Sequence, residues 1–130
     1  MNRQKALQIN TTTLAYLGDA VYEIYIREYV IEKCVNDAGK AHKLAVRYVS
    51  SDGQAKAAKS MLADGFLSED EERLLKRARN HRTMSKPANA DPKTYKIATG
   101  FEALIGYLHI IDEQERLSEI INEAIRIIEG

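Results

Sequence analysis

The sequence predicts an all-α fold, a bundle of five to seven helices. Apolar residues recur at three- and four-residue spacings, helix-capping signals fall at the ends of those runs, and no stretch of useful length alternates as a half-buried strand would. Thr11, Thr12 and Thr13 offer N-caps, and Leu14, Leu17, Val21, Ile24 and Tyr25 follow at helical spacing, so a helix is expected to about residue 33. Asn36 and Asp37 open a second segment with Leu44, Ala45 and Tyr48 as its apolar positions. Ser51 or Asp52 is expected to cap a third, ending near Asp64 with Gly65 in the left-handed position after it. Ser68 and Glu71 form an S-x-x-E capping box, and the acids at 69–72 favour the positive end of that helix dipole. That helix is expected to run to about residue 79.

The stretch NHRTMSKPANADP is the one long loop-like segment, and Asp91 with Pro92 closes it as N-cap and first helical residue. A long apolar helix is expected over 93–111 and an amphipathic one over 113–129, with Leu117, Ile120, Ile121, Ala124, Ile127 and Ile128 on one side.

A chain of 130 residues suits one domain with a real core. Basic and acidic residues number 19 each, so only a local cluster of charge can point to nucleic acid. Cys34 is the only cysteine, so no internal disulfide forms, in keeping with a reducing, cytoplasmic setting. The start MNRQKALQIN lacks the apolar core of a signal peptide, and no apolar run approaches the ~20 residues that span a bilayer, so no membrane association is expected.

Two carboxylates stand out. Asp19 lies in LAYLGDAVYEIYI, a helix apolar on nearly all sides that is expected to be buried on both, so Asp19 has no obvious solvent face. Glu102 lies in IATGFEALIGYLHI, where Ala98 and Gly106 are small enough to admit another backbone. Each acid alone either caps, pairs with Arg27 or Lys96, or reaches solvent. Two on glycine-bearing apolar helices point instead to a shared site for a hard cation, Mg²⁺ or Mn²⁺. Glu23, one turn after Asp19, is either an outer ligand or the i,i+4 partner of Arg27, with the ion pair the first reading. His42, His81 and His109 have no ligand spacing with one another or with Cys34, and no phosphate-binding loop or nucleophile elbow occurs.

From Lys76 to Lys96 the chain carries Lys76, Arg77, Arg79, Arg82, Lys86, Lys93 and Lys96 against one acid, Asp91, a local footprint suited to phosphates. The alternative is a solvated loop balanced by the SEDEE run before it.

LAYLGDAVYE resembles the ribonuclease III signature L-E-F-L-G-D-A-V-L. ATGFEALIGYL resembles that family's second acidic motif, D-x-x-E-A-L-x-G, and LAVRYVSSDGQAKAAKSM its L-R-x-x-x-V-S middle segment. KRARNHRTMSKPANADPKTY is similar to a segment of the Mini-III subfamily, whose members carry the catalytic domain alone. The resemblance spans roughly 13–117. It implies a ribonuclease III catalytic-domain helical bundle, homodimeric, and a single such domain over 1–130 without a separate double-stranded-RNA-binding domain. It implies a metal-dependent endoribonuclease that cuts double-stranded RNA to leave 5′-phosphates. The implied substrate is the bacterial 23S ribosomal RNA precursor, with a ribosomal protein as a further candidate partner. Asp19 and Glu102 match the family's catalytic, metal-binding acids. Ala15 and Thr99 stand where it carries two more, which leaves the number of metal ions open. Lys76, Arg77, Arg79, Arg82, Lys86 and Lys96 become the candidate RNA contacts. The competing reading is a catalytically inactive ribonuclease III-like module that only holds RNA.

Overall fold

The computed structural model describes residues 1–81 and 91–130. Among them are seven helices and no strand: α1 (Arg3–Leu7), α2 (Thr11–Ile31), α3 (Ala38–Val49), α4 (Ser51–Ala63), α5 (Glu69–Asn80), α6 (Pro92–Ile110) and α7 (Gln114–Glu129). The all-α expectation holds. Of the long loop-like segment, residues 82–90 lie outside the described residues.

The caps correct the sequence reading in two places. Asn10, not a threonine, caps α2, its Oδ1 accepting from the Thr12 N–H at 2.8 Å. Asparagine outranks threonine as a cap, and Thr11 is thereby drawn into the helix. Ser50, not Ser51 or Asp52, caps α4, its Oγ accepting from the Gly53 N–H at 3.1 Å. Ser50 also ends α3, so the two helices share one residue as their corner. That corner is tight: a Cβ on Gly53 would lie 2.3 Å from the Arg47 carbonyl oxygen. Elsewhere the expected signals operate. The Ser68–Glu71 box is closed from both sides, Gly65 takes φ +68° after α4, and Asp91 with Pro92 starts α6. Between α6 and α7 the left-handed position falls to Asp112, φ +61°, and the Glu113 N–H donates back to the Leu108 carbonyl at 3.0 Å. The short helix α1 has one buried residue, Ala6, too little for a periodic pattern to reveal it.

Helix α6 is the axis of the bundle, with α2, α4, α5 and α7 packed around it and α3 laid against α2. Its Phe101, Leu104 and Ile105 are fully buried, and Tyr22 of α2 meets Phe101 edge to face at 5.1 Å. From α7 the expected stripe of Leu117, Ile120, Ile121 and Ala124 closes the core.

Arg116 ties α7 to α5. It donates to both Glu71 carboxylate oxygens at 2.8 and 2.9 Å and to the Phe66 carbonyl at 2.8 Å, with its guanidinium over the Phe66 ring. Burial pushes the Glu71 carboxyl up, but the bonds from Arg116 and Ser68 outweigh it and hold the group below the ordinary carboxylate range.

Helix α2 departs from expectation on one face. Its inner face is buried, but Tyr16 is 83% exposed, Ile24 59% and Ile31 55%, and Val35 just beyond the helix is 69% exposed. Within one chain this apolar strip has no cover among the described residues.

Candidate active site

Two glycines set the site. A Cβ on Gly18 of α2 would sit 1.7 Å from the Glu102 carbonyl oxygen, and one on Gly106 of α6 would sit 2.0 Å from the Leu14 carbonyl oxygen. The two longest helices therefore touch backbone to backbone, each glycine filling the space against the other's chain. Asp19 follows Gly18 directly, and Glu102 lies one turn before Gly106. The contact that packs the helices thus also brings the two acids together.

Both acids border one open cleft of about 340 Å³, with Ala15, Ser51, Tyr95 and Thr99 among its lining. The site is more exposed than the sequence suggested. Glu102 is half-buried, but Asp19 is exposed, because it lies where the α2–α6 seam meets the uncovered outer face of α2. Neither residue at the two positions without an acid supplies a substitute carboxylate. Ala15 has no polar side-chain atom, and the Thr99 hydroxyl donates to the Tyr95 carbonyl of its own helix at 2.9 Å. Among the described residues no group of three His, Cys, Asp or Glu side chains gathers that could hold a metal ion. Glu23 takes the ion-pair role, accepting from Arg27 Nε at 3.0 Å.

The Glu102 carboxyl is pushed up to about 8. Burial is the main cause, the adjacent Asp19 carboxyl adds to it through a shared hydrogen bond and its charge, and the Gln54 amide pulls the other way. Two acids this close cannot both ionise cheaply, and a divalent cation between them relieves the conflict. Gln54, buried at 2% exposure, donates to Glu102 at 3.3 Å, while its own Oε1 is buried with no hydrogen-bond partner. An all-oxygen pair of this kind fits Mg²⁺, which keeps several waters and takes one or two carboxylates from the protein.

A pH dependence follows. A carboxyl whose folded pKa exceeds its unfolded value gives the folded state extra protons. For protein without a divalent cation, the stability due to Glu102 is therefore complete below its ordinary 4.5, falls as pH rises towards about 8, and is level beyond. Thermal melts in chelator across this range should show the decline. Glu102→Gln should flatten it, and an unchanged slope in that variant would assign the decline to another group.

Of the candidate basic residues that the structure describes, none lines this cleft. Lys76 pairs with Glu72 at 2.9 Å, as the balanced-loop alternative anticipated. Arg77 donates to the Leu7 carbonyl at 3.3 Å, and Arg79 to Asn80 at 3.1 Å. Their helix α5 meets α6 at Gly100, where Leu75 packs, about half a turn around α6 from Glu102. Lys96 is exposed on α6, and Arg82 and Lys86 lie outside the described residues. Gln54 is the residue that the sequence reading missed. Its signal was a polar side chain on the apolar stripe of α4, in register with Ala57, Ala58 and Met61.

A model of the Ribonuclease III domain matches residues 12–113, and the chain belongs to that family. Its relatives are more particular. It is 46% identical to the Mini-ribonuclease 3 of Enterococcus faecalis over 92% of this chain and 90% of that protein. It is 43% identical to the Mini-ribonuclease 3 of Streptococcus pneumoniae over 94% of this chain and 95% of that protein. A crystal structure of a protein from Fusobacterium nucleatum superposes with a TM-score of 0.79 at 31% identity, covering 92% of this chain and 93% of that one. No helix among the described residues is long and apolar enough to cross a membrane.

Proposed function

We propose that this ribonuclease III-family endoribonuclease hydrolyses double-stranded RNA with a divalent cation, Mg²⁺ or Mn²⁺, held by Asp19 and Glu102. The observation that carries the reading is the convergence of those two acids across the Gly18–Gly106 contact. When bound, the cation lowers the pKa of a coordinated water and offsets charge on the phosphate under attack. The protein's share is to place the ligands. Asp19 stands at the open rim, where a phosphate arrives. Glu102 stands on the buried side, where water is excluded and its charge counts for more. The products carry 5′-phosphates and 3′-hydroxyls.

The duplex is recognised through shape, phosphates and 2′-hydroxyls. Arg77, Arg79, Arg82, Lys86, Lys96 and the partly neutralised Lys76 are the proposed phosphate contacts. Replacing several by glutamine should lower the slope of log K against log salt by about 0.7–0.9 for each phosphate no longer neutralised. A slope unchanged in the multiple variant places the RNA elsewhere. The motif resemblance to the Mini-III subfamily supports the 23S ribosomal RNA precursor of the bacterial cytoplasm as substrate, with a ribosomal protein as a candidate aid. One catalytic domain over 1–130 suffices for the reading.

The working unit is a homodimer. The exposed strip of Tyr16, Ile24, Ile31 and Val35 borders the cleft at Tyr16, and a second copy covers it with its own α2. Each subunit then cuts one strand. A mixed dimer of one wild-type and one Asp19→Asn subunit is expected to bind duplex RNA normally and leave a single nick. Double-strand cleavage by a verified mixed dimer, or an active monomer, refutes the paired arrangement.

A further inference from the structure

We propose that Gln54 is a positioning residue, holding the Glu102 carboxylate in the orientation in which it accepts a divalent cation; this rests on the reading of Glu102 as a ligand. The side chain is anchored by the α3–α4 corner. Its backbone N–H donates to the Ser50 carbonyl at 3.0 Å, and its Nε2 donates to the Val49 carbonyl at 3.0 Å. That bond fixes which end of the amide is nitrogen, because a flipped amide would set carbonyl oxygen against carbonyl oxygen. The second Nε2 proton is then left for Glu102 Oε2, at 3.3 Å. One carboxylate oxygen is occupied by a neutral donor, which leaves the other for the hydrogen bond shared with Asp19 or, in its place, for a cation.

The contact is built in a closely packed part of the fold. Gln54 is 2% exposed, and the neighbouring Gly53 is pressed against the α3 backbone. Glu102 has a long side chain, and its own helix fixes only the Cα. An amide reaching across from α4 restricts its remaining torsions. Packing alone does not account for the residue. Leucine or methionine fills similar space, and neither would bury an unpartnered oxygen as Gln54 does at Oε1. What glutamine adds is the donor on Glu102. A hydrogen bond from outside the ligand set that orients a ligand is a recurrent feature of metal sites, and its removal weakens affinity by about 10–100-fold.

The test is a titration of the full chain with Mg²⁺ alone, followed by calorimetry and by thermal shift, in wild type, Gln54→Met and Gln54→Leu. Both variants are expected to bind Mg²⁺ about 10-fold or more weakly. In cleavage assays the Mg²⁺ concentration for half-maximal rate should rise by the same factor, with KM for duplex RNA unchanged and kcat recovering at saturating Mg²⁺. A merely structural role would lower the melting temperature without moving the Mg²⁺ midpoint, and that result overturns the proposal. If the variants do not fold, the wild-type protein still decides. The Gln54 side-chain amide protons should be protected from exchange and shift on Mg²⁺ addition, and unprotected, unresponsive protons refute the contact. Wild type that binds no Mg²⁺ removes the ligand reading and this proposal with it. Wild type that binds, with both variants binding equally well, removes this proposal alone.

Discussion

Asp19→Asn and Glu102→Gln are each expected to lower duplex-RNA cleavage at saturating Mg²⁺ by about a thousandfold or more, roughly 4 kcal/mol of transition-state stabilisation. The size follows from the shortage of ligands. Ala15 supplies no ligand atom and Thr99 only a neutral hydroxyl, so replacing either acid leaves a single carboxylate in the cleft. The amides keep the volume and remove the charge. Asp19 is exposed, so its replacement should leave the melting temperature nearly unchanged. Glu102→Gln should stabilise the protein in chelator above about pH 8, where the wild-type carboxylate is buried and charged. Single-turnover cleavage with excess enzyme measures the fall in rate, and filter binding in Ca²⁺ checks that RNA is still held. Near wild-type turnover by either variant would exclude that residue as a required ligand.

Gly106→Ala is expected to cost both stability and activity. The added methyl would meet the Leu14 carbonyl oxygen at 2.0 Å, and that atom belongs to a helix backbone that has no rotamer to change. Helices α2 and α6 must separate or shear. Alanine's better helix propensity, about 1 kcal/mol, offsets part of the strain. The net destabilisation should still lie in the upper part of the ~1–3 kcal/mol range seen for overpacked cores. Urea denaturation reads it as a lower midpoint at constant slope. Cleavage should fall further than stability does, because a shift of about 1 Å between the acids spoils their geometry even in molecules that fold. A stable, fully active Gly106→Ala would show that the backbone contact does not set the distance between the acids.

Helices α2 to α7 were legible in the sequence because each buries apolar residues at helical spacing, whereas α1 buries only Ala6. The capping box at Ser68 and the Asp91–Pro92 start of α6 were legible because their chemistry is local. The cap positions at α2 and α4 were less so. Asn10, Thr11, Ser50 and Ser51 all carry oxygen acceptors, and which one turns out of the helix depends on how the chain arrives. Asp19 and Glu102 could be picked out as acids on apolar helices, and Gly106 as a point of close approach. The exposure of Asp19 could not. An apolar outer face on α2 reads the same whether this chain or another copy covers it. Gln54 was hidden for a different reason: its partners, Val49 and Glu102, include one residue 48 positions away, and no periodicity in α4 encodes that meeting.

The glycine contact also bears on how the molecule breathes. Where two backbones touch with no side chain between them, water cannot enter by a rotamer flip, and the amides on either side exchange with solvent only when whole helices part. The amides of α2 and α6 near Gly18 and Gly106 should therefore be among the slowest to exchange, while those of α1, held by one buried alanine, exchange early. The acids sit on the segment that opens last. Local fluctuations that loosen the rim of the bundle should then leave their spacing intact.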